Sequence, residues 1–285
     1  MISYKTLENT AIETLHETFV NAFSDYQVKM DLPLWKFQNM LERRGFIPEI
    51  SLGAFKEDVL AGIILNGLRT WNGRPAVYDL GTGVMPEYRK QGITSCMLTN
   101  IKKILKERNI EQYLLEVIQT NTSAFNLYRK QGFSIVRGLD CFRLDKGSFS
   151  STVTYETEHI SSIEDSIWEE LKNFWDFIPS WQNSIDSINA VKDLFIYSIV
   201  KFEGKIVGYG IIDRKSGDLV QLAVHKAHRH KGIGRSIAAD LINSTEAKAA
   251  AALNIDHAST AVISFLHSLG FEGSVNQYEM LLEIR

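Results

Sequence analysis

The chain has 285 residues, 45% of them hydrophobic, with 31 Lys and Arg against 34 Asp and Glu. That length suggests roughly two globular domains, each large enough for its own core. A net charge of -3 gives no broad basic field, which argues against nucleic acid as the main partner, and two cysteines are too few for a disulfide framework. Met1–Glu8 lacks the layout of a signal peptide and no apolar run reaches ~18 residues, so a cytoplasmic location without a membrane partner is expected.

Ile2–Leu7 alternates like a short strand. Ile12, Leu15, Phe19 and Phe23 recur at helical spacing, which predicts a helix over Glu8–Phe23. Pro33 opens a second helix through Leu41, stopped near Gly45. Ile50–Phe55 and Val59–Leu68 read as a hairpin with Lys56-Glu57-Asp58 at its turn. Asn72-Gly73 is another turn, and Ala76–Met85 a strand closed by Pro86. The stripe Ile93, Met97, Ile101, Ile104 and Leu105 predicts a helix over Gly92–Lys106, with Cys96 inside it as a small buried residue. Gln112–Ile118 is a mostly apolar strand, Asn121–Gln131 a short helix ended by Gly132, and Phe133–Leu144 two strands around Gly138.

Small polar residues make Asp145–Ser151 the best linker, dividing the chain into domains 1–146 and 152–285. The second half repeats the order in shorter pieces. Ser161–Phe174 is helix-like, and Leu194–Lys201 with Ile206–Asp213 form a hairpin around Glu203-Gly204. Leu219–Val224 is a strand, Ile233–Leu241 and Ala258–Leu269 are helices, and Gln277–Ile284 is a final strand. The alanine-rich run Glu246–Leu253 reads equally as a helix or the start of a strand. Helices and hairpins in this order predict a mixed α/β (α+β) fold, with a central mixed sheet flanked by helices in each half.

Two stretches nearly repeat each other. Val84-Met85-Pro86-Glu87-Tyr88-Arg89-Lys90-Gln91-Gly92-Ile93-Thr94 is echoed by Val224-His225-Lys226-Ala227-His228-Arg229-His230-Lys231-Gly232-Ile233-Gly234, with Arg229 standing 140 positions after Arg89. Each follows a strand-like run and opens a helix. Such a turn aims unpaired backbone N–H groups and the positive end of a helix dipole at one spot, which suits a diphosphate. Glycine lets the backbone approach, and arginine offers a fork of donors. Arg229, Gly232 and Gly234 fit the whole R-x-x-G-x-G/A pattern. Arg89 and Gly92 fit in the first half, where Thr94 replaces the last small residue.

Asn121-Thr122-Ser123-Ala124-Phe125-Asn126-Leu127-Tyr128-Arg129-Lys130-Gln131-Gly132-Phe133 follows the first turn after one strand. With both elements in this order the chain resembles the GNAT superfamily of acetyl-coenzyme A-dependent N-acetyltransferases, with two such domains in tandem. The resemblance implies acetyl-CoA as co-substrate, held backbone to backbone at Val84 and Met85, by the turn through Arg89, Lys90, Gln91, Gly92, Ile93 and Thr94, and by Asn121. It implies Tyr128 as the acid that protonates the departing thiolate, and direct attack by a primary amine of a small molecule or peptide. Val224, Arg229, Lys231, Gly232, Ile233 and Gly234 would hold a second coenzyme A.

The base is Asp79, on the strand before the turn, or Glu116, on the apolar strand after it; either is equally readable as a structural acceptor. Tyr26, Trp35 and Phe37 fall where family members line the acceptor cleft, and each reads more readily as helical core packing. In the second half Leu266 stands at the position of Tyr128 and Ser259 at that of Asn121. That half is therefore a degenerate or second cofactor site, with His267 a substitute acid, or a module that binds acyl-CoA without turnover. His225, His228 and His230 beside a diphosphate turn need no metal, and none is expected. Trp181-Gln182 falls on the acceptor side of that half or in its core.

Overall fold

In a computed structural model of the chain, the structure describes residues 1–28, 32–151 and 153–284. It divides into two compact units, Met1–Val136 with Tyr278–Arg285, and Arg137–Gln277. The Asp145–Ser151 stretch lies within the second. Among the described residues no helix is long and apolar enough to cross a membrane.

The first unit contains β1 (Ile2–Thr6), α1 (Ile12–Ala22), α2 (Leu34–Arg44), β2 (Leu52–Lys56), β3 (Val59–Trp71), β4 (Arg74–Val84), α3 (Ile93–Glu107), β5 (Gln112–Ile118) and α4 (Thr122–Lys130). β6 (Ser134–Asp145) follows, its residues from Arg137 on belonging to the second unit. β1 to β4 form an antiparallel meander, and β5 runs parallel to β4. Gly45 ends α2 with a left-handed backbone (φ 73°), as its position after the last apolar residue predicts. The core lies between α3 and the sheet, where Met97, Ile101 and Leu105 meet Ile64, Val77 and Leu115. α1 packs on the opposite side of β4, so closely that a Cβ on Gly81 would stand 2.6 Å from the Phe19 ring.

The second unit continues with β7 (Glu158–Ile160), α5 (Asp165–Leu171), α6 (Ile185–Ala190), β8 (Phe195–Phe202), β9 (Lys205–Asp213), β10 (Leu219–Val224), α7 (Ile233–Ser244), β11 (Ala249–Asp256), α8 (Thr260–Ser268) and β12 (Glu272–Gly273). β7 to β10 are an antiparallel sheet, and β11 and β12 pair with β6. α7 buries Ile237, Leu241 and Ile242 against it. The closing strand β13 (Gln277–Glu283) lies beside β5, and its Met280 joins the first unit's core.

Three local expectations change, and one left open is decided. β6 runs unbroken through Gly138, which stays extended, where two strands are predicted. The alanine run enters strand β11, because Ala250 and Ala252 point into the core while pairing with Leu144 and Phe142; tertiary pairing overrides alanine's helix preference. The helix expected over Ser161–Phe174 contracts to Asp165–Leu171 and a single 3-10 turn, Lys172–Phe174. Cys96 is exposed, since the buried stripe of α3 runs through Ile93, Met97 and Ile101 beside it; Cys141 is buried.

Candidate active site

The sites begin with the same backbone device in each unit. β4 and β5 pair only over Ala76–Tyr78 with Gln112–Leu114, so β4 beyond Tyr78 has no ladder partner from β5. The register of β4 against β3 skips Leu80, a bulge whose carbonyl accepts Arg44 Nη1 at 3.3 Å. In the second unit Asp218, just before β10, bridges Ala251 of β11 in parallel, and the register of β10 skips Val220, 140 positions after Leu80. A bulge bends its strand and increases its twist. Each unit thus opens a wedge between two parallel strands.

Each wedge ends at the repeated turn, and the two turns share their strained points. Lys90 (φ 62°) and Gly92 (φ 75°) are left-handed in one, His230 (φ 59°) and Gly232 (φ 92°) in the other. Non-glycine residues held there cost energy and cluster at binding sites. No side chain caps α3 at Gly92 or α7 at Gly232, so the first helical N–H groups remain available to an anion. A Cβ at Gly92 would meet nothing within 4 Å, so this glycine is required for its φ and leaves the approach open. These features fit the diphosphate of coenzyme A.

The arginines do something other than expected. Arg89 Nε donates to the Val84 carbonyl (3.0 Å), Nη1 to Asp25 (2.6 Å) and Nη2 to the Ala22 carbonyl (2.9 Å). Arg229 repeats this on Val224 (3.0 Å), Asp176 (2.8 Å) and the Phe174 carbonyl (2.7 Å). Each fork braces the strand end against the segment after an early helix or turn, leaving anion binding chiefly to backbone amides. The Met85 amide is likewise engaged, donating to the Ala61 carbonyl at 2.9 Å. Lys231 Nζ donates to the Ala227 carbonyl at 3.2 Å.

Polar side chains converge where the first wedge starts. Asp79 is buried; its Oδ1 accepts the Gly81 amide at 2.9 Å and its Oδ2 the Thr82 hydroxyl at 2.6 Å. Tyr128 on α4 sets its phenol beside Asp79 and Thr82, near enough to interact with both. Burial pushes the Asp79 carboxyl up to about 6, against the pull of those three neighbours. Burial first, and then the Asp79 charge, hold the Tyr128 phenol well above its ordinary value. Half-buried Tyr26 joins the group: Asn121 hydrogen-bonds its phenol, burial raises its pKa, and the Asp79 charge adds to the rise. Asn121 also caps α4, its Oδ1 accepting the Ala124 amide at 3.2 Å. Glu116 is turned to another partner, accepting a hydrogen bond from buried Tyr78.

A family model described as "Acetyltransferase (GNAT) family" matches residues 12–133, and a second, "Acetyltransferase (GNAT) domain", matches 162–280. The chain belongs to the GNAT family of acetyltransferases. A curated relative, the thialysine N-epsilon-acetyltransferase of Bos taurus, is 31% identical over 87 residues, 30% of this chain and 51% of its own length. Thus the match spans about half of that relative. A GCN5-related N-acetyltransferase from Sphaerobacter thermophilus shares the fold at TM-score 0.74 and 13% identity, over 100% of this chain and 96% of that one. A tandem GNAT protein from the clavulanic acid biosynthesis pathway does so at TM-score 0.73 and 12% identity, over 100% and 99%.

The first GNAT domain therefore sets Tyr128 beside Asp79, Asn121 beside Tyr26, and Glu116 beside Tyr78. Thr82 carries no mark in the sequence, because its reach to Asp79 depends on the bulge at Leu80. Of the acceptor-side aromatics only Tyr26 reaches this group. Phe37 is fully buried between His16 and Phe19, and Trp35 is exposed. In the second GNAT domain His225 Nδ1 caps its own turn by accepting the Ala227 amide at 3.2 Å. His267 Nδ1 lies 3.0 Å from the Phe271 carbonyl, and Trp181 is core. Among the described residues no group of three or more His, Cys, Asp or Glu could hold a metal ion.

Proposed function

We propose that the first GNAT domain moves an acetyl group from acetyl-CoA to a primary amine of a small molecule or peptide. The observation that carries this reading is buried Asp79, held by the Gly81 amide and the Thr82 hydroxyl beside the Tyr128 phenol, at the start of the β4–β5 wedge. The turn from Arg89 to Thr94 would hold the diphosphate through its amides, and the wedge would take the pantetheine arm. Acetyl-CoA, when bound, supplies the thioester to be attacked.

The residues then close a proton circuit. Asp79, with its pKa near 6, is mostly ionised at neutral pH and accepts the proton lost by the attacking nitrogen. As the carbon–nitrogen bond forms and the carbon–sulfur bond breaks, Tyr128 gives its proton to the departing sulfur. A phenol held well above its usual pKa beside a carboxylate is a poor acid alone. Asp79, newly protonated, returns a proton to Tyr128, so no phenolate is left next to a carboxylate. Thr82 and the Gly81 amide hold Asp79 in place beside that phenol. The hydrogen bond from Tyr78 to Glu116 supports a structural part for Glu116.

The likeness to a thialysine N-epsilon-acetyltransferase supports a primary-amine acceptor and makes thialysine the first to try. The test is amine-dependent release of free thiol from acetyl-CoA across a panel of thialysine, diamines and lysine-containing peptides, with acetylation of the amine followed by mass. Release matched by an acetylated amine is expected. Tight acetyl-CoA binding with no amine-dependent release across the panel would favour the second reading, a thioester-binding module without turnover.

A further inference from the structure

The second GNAT domain carries a cavity of about 340 Å³ that runs from its turn into the β10–β11 wedge. At the turn end stand His228, His230, Gly232 and Arg235. At the other end the walls are Phe177, Leu219, Leu222, Ile255, Val262 and Leu266. Counting from the shared turn, Leu219 stands where the first domain has Asp79, Leu222 where it has Thr82 and, in the helix after the next strand, Leu266 where it has Tyr128. Phe177 follows the arginine-paired Asp176, as Tyr26 follows Asp25. Every side chain of the first domain's proton circuit is thus replaced by a hydrocarbon, on a backbone with the same bulge, wedge and turn.

The space on the far side of Leu222 is small. A neighbouring space of about 50 Å³ shares the Leu222 and Val262 walls, with room for a few waters. Its polar groups satisfy one another: Trp175 Nε1 donates to the Tyr209 hydroxyl at 2.5 Å, which donates to Gln221 Oε1 at 2.7 Å, and Gln221 Nε2 donates to the Asn183 carbonyl at 2.7 Å. Asp176, the carboxylate that lines both spaces, is paired with Arg229 at 2.8 Å.

From this geometry we infer that the second domain binds a coenzyme A thioester whose acyl chain is longer than acetyl, seats the chain among Leu219, Leu222, Val262 and Leu266, and keeps the thioester intact. An anionic end suits the turn, and an apolar tail suits walls that offer it no polar partner. The inference rests on reading the turn as a coenzyme A site, and the test separates the two.

In the full chain, Thr94→Glu puts a carboxylate at the first turn of α3, which suits the helix and repels a diphosphate from the first site. Acetyl-, butyryl- and hexanoyl-CoA titrated into this variant by calorimetry should bind about fourfold more tightly for each added methylene. Recovered thioester should be unchanged after incubation with amines. Val262→Phe in the same background should flatten the dependence on chain length, and Gly234→Glu should abolish the chain-length-dependent binding. Equal affinity for acetyl- and hexanoyl-CoA would overturn the acyl pocket and leave the coenzyme A site standing. Absence of binding by all three thioesters would overturn both.

Discussion

The two wedges differ in chemistry while agreeing in backbone. Leu80 and Val220 bulge at matching positions, Lys90 and His230 share a left-handed turn, and Arg89 and Arg229 brace their strand ends through the same kinds of partner. On this common frame the first domain sets Asp79, Thr82 and Tyr128 side by side, with Tyr26 near enough to feel the Asp79 charge. The second sets Leu219, Leu222, Leu266 and Phe177 around its cavity. On the reading proposed above, holding a long anionic guest would be a property of main-chain geometry, whereas moving protons would be a property of Asp79, Thr82 and Tyr128. A duplicated fold can keep the first and discard the second, because hydrocarbon walls are cheaper to bury than a carboxylate.

Asp79→Asn attacks the contrast most directly after Tyr128 itself. It should lower kcat by about 10²-fold or more, and remove an acid limb near pH 6 from the rate profile. It should also stabilise the fold in a pH-dependent way. Because burial raises the Asp79 pKa from 3.8 to about 6, its contribution to stability is full below pH 3.8 and is lost as pH rises through 6. The variant should thus gain up to ~3 kcal/mol over the natural chain at pH 8 and almost nothing at pH 3.5, read by urea denaturation. A gain of equal size at both pH values would mean that the buried carboxylate is not the source.

Thr82→Val should act less strongly, by roughly tenfold or less in kcat, since it removes one of the donors that lower the Asp79 pKa. Its distinguishing sign is an acid limb displaced to higher pH; a limb that stays put would separate Thr82 from the circuit. Glu116→Gln should be the mildest, within about threefold in kcat and with the acid limb unmoved, because Glu116 answers to Tyr78. A loss as large as that of Asp79→Asn would reverse the assignment of the base.

Much of this arrangement is legible in sequence, and the remainder is hidden for definable reasons. The repeated turn, the helices after it and the Leu266 substitution show because they are local strings at fixed spacing. Tyr128 and Asn121 show because they share one such string. The arginine brace does not show, because Arg89 closes on Asp25 and Ala22, 64 and 67 positions away. A bulge at Leu80 leaves no mark in composition, since a strand keeps its apolar character when one residue is skipped. Alternation marks Gln277–Ile284 as a strand without naming its neighbours, and packing puts it in the first unit. Asp79 and Glu116 look alike on paper; the neighbours Thr82 and Tyr78, each on β4, set them apart.

The most direct test is acetyl transfer by the full chain carrying Tyr128→Phe, with acetyl-CoA saturating and its affinity measured in parallel. Affinity within about threefold of the natural chain and a fall in kcat of roughly 10²–10⁴ are expected. Turnover left near the natural rate would mean that the proton reaches sulfur by another route, or that the leucine-lined domain does the chemistry, and would contradict the division of labour drawn between the two wedges.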